Sequence, residues 1–143
     1  MFRVIAIFSI INFMCTANIF AQNMSEYQWK NRLLIIITDD LQQSSYVDQL
    51  KELRKNPTGL AERKLRVFWT TSNKFKTGIE VNSKWIKSRK LYDQYKKLDT
   101  SFEVILIGLD GGIKARKTDV LKIEDLYALI DSMPMRRSEI KNE

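Results

Sequence analysis

The sequence predicts a three-layer α/β sandwich, with a mixed central sheet of about four strands, a β-hairpin in its C-terminal half and helices on both faces. Three observations predict it. Residues 33–37 are an unbroken aliphatic run, LLIII, too short for a helix and without polar alternation, which marks a strand buried on both faces. Segments with apolar residues at helical spacing alternate with such runs. Residues 101–117, SFEVILIGLDGGIKARK, spell two strands around the turn chemistry of Asp110-Gly111-Gly112. Strands joined by so tight a turn are antiparallel, whereas strands separated by helices run parallel, so the sheet is mixed.

The elements follow in order. The first strand stops at Thr38-Asp39-Asp40, and Asp40 with Gln43 has the form of a capping box, predicting a helix from about Leu41. Tyr46, Val47, Leu50 and Leu53 give that helix its buried stripe. Pro57-Thr58-Gly59 closes it, and residues 60–64 make a turn or a single helical turn. Residues 65–71, LRVFWTT, form the second strand, more alternating than the first and so nearer an edge. Residues 72–81 are polar without a clear period and fit either a short strand at 78–81 or a loop. Residues 83–98 predict a helix with Trp85, Leu91, Tyr92, Tyr95 and Leu98 inward and lysines elsewhere. After the hairpin, Leu126, Leu129, Ile130 and Met133 share one face of a helix over residues 123–133, with Glu124 and Asp125 favouring its first turn. Pro134 ends it, and a charged tail follows.

A chain of 143 residues, 44% hydrophobic and 29% charged, has the material for one core. Residues 1–21 have the layout of a secretory signal peptide: Arg3, an apolar run from Val4 to Met14, and Ala21 ahead of Gln22. That run is shorter than the roughly 18 apolar residues of a membrane span. We therefore expect an exported chain, periplasmic or secreted, with no stable membrane anchor after signal removal and a single domain over residues 22–143. Cys15 is the one cysteine and falls inside the leader, and the chain has no histidine. The expected mature chain would offer neither thiolate nor imidazole, which excludes disulfides, thiol redox catalysis, Ser-His and Cys-His triads and typical zinc sites. A net charge of +7 suits anionic polymers or acidic proteins. No base-reading motif accompanies the lysines, so nucleic acid is not expected as a partner.

Strand, helix, strand, helix, hairpin, helix is the order of a thioredoxin-like core, with the two parallel strands side by side and the hairpin against the first. A flavodoxin-like sheet would need a helix before every later strand, and the Asp110-Gly111 turn leaves no room for one. An aliphatic strand ending in Asp39-Asp40 resembles the acidic pocket of response-regulator receivers, but the hairpin contradicts that topology, and the plainer reading is that both carboxylates cap the following helix. In thioredoxins the reactive dithiol follows the first strand at a helix N-terminus. Here residues 39–45, DDLQQSS, carry no sulfur, and Asp99-Thr100-Ser101 stands where the facing proline would be.

Four segments carry a resemblance to a known family. They are WKNRLL at residues 29–34, GLAER at 59–63, LIGLDGGIK at 106–114 and LIDSMPMRR at 129–137. In this order they resemble the motifs of the DUF4174 family over nearly all of the mature chain. The resemblance implies a thioredoxin-like domain of unknown function, found in small exported bacterial proteins and in animal extracellular-matrix proteins. It implies no substrate, cofactor or catalytic residue. Its polar motif positions Lys30, Arg32, Asp110, Arg136 and Arg137 are candidate binding residues, together with Asp39 and Asp40 from the first strand's end. The leading expectation is an exported, non-catalytic binding module lacking the redox dithiol, which holds an envelope or extracellular protein or an anionic polymer at the rim beyond the first strand. Its rival is a thiol-independent enzyme in which Asp39 or Asp40 is the general base and Arg32 or Lys30 stabilises charge. No catalytic residue, cofactor or metal is assigned, and no thiol oxidoreductase or peroxidase activity is expected.

Overall fold

The computed structural model describes residues 23–143, and the expected leader lies outside them. In chain order, a 3₁₀ turn at Met24–Tyr27 is followed by β1 (Arg32–Thr38), α1 (Ser44–Arg54), α2 (Pro57–Glu62), β2 (Leu65–Thr70), β3 (Lys74–Thr77), β4 (Ile86–Lys87), α3 (Lys90–Tyr95), β5 (Phe102–Ile107), β6 (Ile113–Lys117), α4 (Ile123–Asp131) and α5 (Pro134–Lys141). The strands form one sheet in the order β4-β3-β2-β1-β5-β6. β1 runs parallel to β2 and antiparallel to β5, and the remaining pairs are antiparallel. The mixed sheet and the hairpin beside the first strand are as the sequence predicts; the strand count is six.

β1 is central and every one of its residues is buried, as an aliphatic run without alternation requires. Its side chains divide between two cores by the period of two. Leu34 and Ile36, with Val67, Trp69, Val104 and Leu106, meet Leu53 of α1, Leu60 of α2 and Leu126 and Ile130 of α4. Leu33, Ile35 and Ile37, with Phe68, Phe75, Ile105 and Ile107, meet Met24 and Leu91. Arg32 shares the parity of Leu34 and Ile36, so it begins the strand on the α1, α2 and α4 face.

The structure corrects several boundaries. The first helix starts at Ser44, because Asp40 caps a turn, accepting from the Gln42 amide at 2.8 Å. Val47 is exposed, and Gln49 takes the buried place, exchanging two hydrogen bonds with the Leu121 backbone. Pro57 opens a helix, preceded by the Asn56 cap that accepts from Gly59 N at 3.0 Å; proline at the first helical position removes only an orphan N–H. A side chain on Gly59 would meet the Tyr127 ring at 2.5 Å, so α2 approaches α4 only through glycine. β2 is interior, because residues 74–77 supply the unexpected strand β3 beside it. Residues 83–98 are not one helix: Ile86 pairs with Phe75 as an edge strand, and only the short α3 is helical. The charged tail after Pro134 is α5, anchored by buried Arg136.

Candidate functional site

β1 and β2 are parallel and begin at the same end of the sheet, and both are entered through non-glycine residues with positive φ, Trp29 at 66° and Lys64 at 51°. Side chains adopt that conformation rarely, and backbone contacts hold it here. Trp29 N donates to Leu109 O at 2.6 Å, and Lys64 O accepts from Arg32 N at 2.9 Å. The Gln28 amide donates to Asp110 O at 2.9 Å. The hairpin turn is thereby tied to the entrance of β1.

Arg32 sits at the centre of this pole, with a side chain 1% exposed. Its Nη1 donates to Arg63 O at 3.0 Å and to Glu139 at 3.2 Å. Its Nε and Nη2 are buried and have no hydrogen-bond partner among the described residues. Around it lie two more guanidinium groups. Arg63 forks onto Asp131 at 3.0 and 2.6 Å and lies 4.0 Å over the Tyr127 ring. Arg136 reaches Asp131 and Glu139, each at 3.3 Å, and Glu62 O at 3.2 Å. Three largely buried cations therefore share two carboxylates, while Lys64, Glu62 and Glu143 lie at the exposed margin. Burial alone would raise the carboxyl pKa of Asp131, but hydrogen bonds and charge from Arg63 and Arg136 hold it below its ordinary value. Glu139 is held down in the same way, against its own burial, by Arg32, Lys64 and Arg136.

A cavity of about 220 Å³ opens beside this cluster, lined by Arg32, Gly108, Leu109, Asp110, Lys114 and the turn Met133, Pro134, Met135. Lys114 Nζ bonds Asp110 at 2.7 Å and Gly112 N donates to it at 3.0 Å. The lysine first, then the amide, lower the Asp110 pKa. Each of the four motif segments contributes to this pole: Arg32, Arg63, Asp110 with Lys114, and Asp131 through Arg136.

Of the predicted residues, the structure brings Arg32, Asp110 and Arg136 together here. Lys30 and Arg137 have exposed side chains. Asp39 and Asp40 lie at the other end of β1, roughly 20 Å away at strand rise. There Asp39 accepts from the Tyr92 hydroxyl at 3.1 Å, and both carboxylates are exposed. Arg63, Asp131, Glu139 and Lys114 were not among the predicted residues. An arginine beginning a fully buried strand demands carboxylate partners from elsewhere, but the sequence does not say which. Among the described residues no group of three or more His, Cys, Asp or Glu side chains is placed to hold a metal ion.

The fold defines a class, a thioredoxin-like domain. Two solved structures share the fold: the reduced 2-Cys peroxiredoxin of Plasmodium vivax, with a TM-score of 0.59 and 13% identity over 84% of this chain and 73% of that one, and the mitochondrial 2-Cys peroxiredoxin of Plasmodium falciparum, with a TM-score of 0.51 and 11% identity over 84% of each chain. Residues 23–139 match the family model described as a domain of unknown function, DUF4174, and the chain belongs to that family. Among curated proteins, none matches.

These likenesses correct the functional expectation. The two solved structures above are peroxiredoxins, so the non-catalytic binding module is not what these likenesses support, and the thiol-independent enzyme built on Asp39 and Asp40 falls with it. What they support is the thioredoxin-like fold alone.

Proposed function

We propose that the chain recognises the anionic group of a ligand or substrate at the Arg32 pole. The observation that carries this reading is the pair of buried Arg32 nitrogens without a partner. An unsatisfied buried donor costs about 1–3 kcal/mol, and an anion that reached the guanidinium would recover that loss. The leader-like residues 1–21 support an encounter outside the cytoplasm.

Protein recovered from the cell envelope or medium would serve for the test, and its N-terminal sequence is expected to begin at or near Gln22. Titration of ¹⁵N-labelled protein with acetate and with inorganic phosphate would follow the Arg32 Nε–H resonance. The expected result is a saturable shift with at least one anion; in Arg32→Lys, which keeps the charge and loses the planar fork, the backbone amides of Gly108, Leu109 and Asp110 beside the cavity should report binding weakened about tenfold. Shifts confined to exposed lysines, growing without saturation, would overturn the reading. An intact Met1 form confined to the cytoplasm would overturn the compartment.

A further inference from the structure

We infer that the Arg32 cavity takes a small monocarboxylic acid with an aliphatic stem. This rests on the anion reading above and deepens it. Nη1 is engaged by Arg63 O and Glu139, and the two that remain are Nε and Nη2. Those N–H groups lie on one edge of the planar guanidinium and point the same way, the fork that matches the two oxygens of a carboxylate.

Charge sets the valence. Arg32, Arg63 and Arg136 have side chains 1, 14 and 6% exposed, and between them they share Asp131 and Glu139. Lys64, Glu62 and Glu143 at the margin bring the pole to four cations against four carboxylates, so a single added charge is the least an anionic ligand can bring. A dianion would bring two, in a cavity that Asp110 also lines with a carboxylate held ionised by Lys114. Inorganic phosphate, largely dianionic above about pH 7, is therefore the poorer fit.

The walls set the stem. Leu109, Met133, Pro134 and Met135 line the cavity without charge, and the two charged groups opposite them, Asp110 and Lys114, are paired with each other. Its volume, about 220 Å³, holds roughly seven water-sized groups at about 30 Å³ each, which suits a carboxylate with a stem of a few carbons. The unpartnered nitrogens have no exposed surface, so the acid enters by turning a side chain aside. Met135, 41% exposed, is unbranched and adaptable enough to serve as that gate.

Pentanoate, acetate and inorganic phosphate, titrated against the full mature chain with the Arg32 Nε–H resonance as readout, decide the matter. Pentanoate is expected to saturate the shift and to bind at least about tenfold more tightly than acetate, since each buried methylene adds affinity. Phosphate is expected to bind more weakly than pentanoate. Because Arg32→Lys could perturb folding, Met135→Glu supplies a second arm at an exposed position: it should leave the unfolding midpoint near that of the natural chain and weaken pentanoate at least about tenfold by placing a like charge at the mouth. Phosphate or acetate binding as tightly as pentanoate would overturn this inference and leave anion recognition standing. No saturable shift with any of the three would overturn both. Pentanoate affinity untouched by Met135→Glu would remove the ligand from this cavity.

Discussion

Two charged side chains are buried in adjacent central strands, at opposite ends and on opposite faces of the sheet, and they are satisfied to very different degrees. Glu103 of β5 has no exposed surface. Its Oε1 takes Lys96 Nζ at 3.2 Å and the Leu98 amide at 3.3 Å, and its Oε2 takes Arg116. Both oxygens are used. Arg32 of β1 is as deeply placed, yet two of its three nitrogens have no partner among the described residues. A buried charge with a complete set of partners holds a fold together. One with donors to spare has capacity for something else.

The comparison is broken most sharply by removing each charge in turn. Glu103→Gln keeps the shape and strips Arg116 and Lys96 of their counter-charge, so a loss of about 3–5 kcal/mol is expected, measured as a fall in the urea midpoint at unchanged slope. A loss below about 1 kcal/mol would mean that water already reaches Glu103, and the contrast between the two sites would dissolve.

Arg32→Met is expected to have the smaller effect. It gives up hydrogen bonds to a charged group, worth about 1.5–3 kcal/mol, but also removes two unsatisfied donors costing about 1–3 kcal/mol each. Glu139 keeps Arg136 and Lys64. The net change should be under about 1.5 kcal/mol in the same urea experiment. A loss as large as that of Glu103→Gln would show Arg32 to be a structural charge and would sink the anion reading.

The two ends also differ in how far the sequence discloses them. At the C-terminal end of β1, Asp40 caps the Gln42 amide two residues away and Thr38 bonds Asp40 itself. Such contacts follow from local chemistry, and polar residues after an aliphatic run announce them. At the other end Arg32 finds its partners 31 and 107 residues away. Spacing cannot reveal that pairing, so Arg32, Asp110 and Arg136 were legible only through the motif resemblance, while Arg63, Asp131 and Glu139 were not legible as site residues. The fold follows the same division. β1 and the hairpin declare themselves by period and turn chemistry, and α4 by its stripe. β3 and β4 do not, because Lys74 and Lys76 flank Phe75 in a strand where Lys76 is itself buried. Its stem lies among aromatic rings, with Nζ 5.2 Å from the centroid of Trp85 and 5.7 Å from that of Trp69. A lysine in that setting looks like loop when read alone.

The smallest expected effect sharpens the comparison from the side of pH. Asp131 and Glu139 have folded-state pKa values below their ordinary 3.8 and 4.5, so the folded chain binds their protons less readily than the unfolded one. Their contribution to stability is present in full above the ordinary values and is lost as pH falls through the lower folded values. Stability should therefore decline below about pH 4.5, with the loss concentrated where α4 and α5 meet. Asp131 is 34% exposed, so solvent screening keeps its share small. Glu52 and Asp110 are also depressed and add to the same slope, which is why the test needs a variant. Glu139→Gln should flatten the acid limb of the urea midpoint against pH by lowering the neutral plateau by the amount that the ionised Glu139 contributes above its ordinary pKa. If the acid limb is as steep without Glu139 as with it, the guanidinium cluster is not drawing on that carboxylate, and the sharing of Glu139 between Arg32 and Arg136 has to be redrawn.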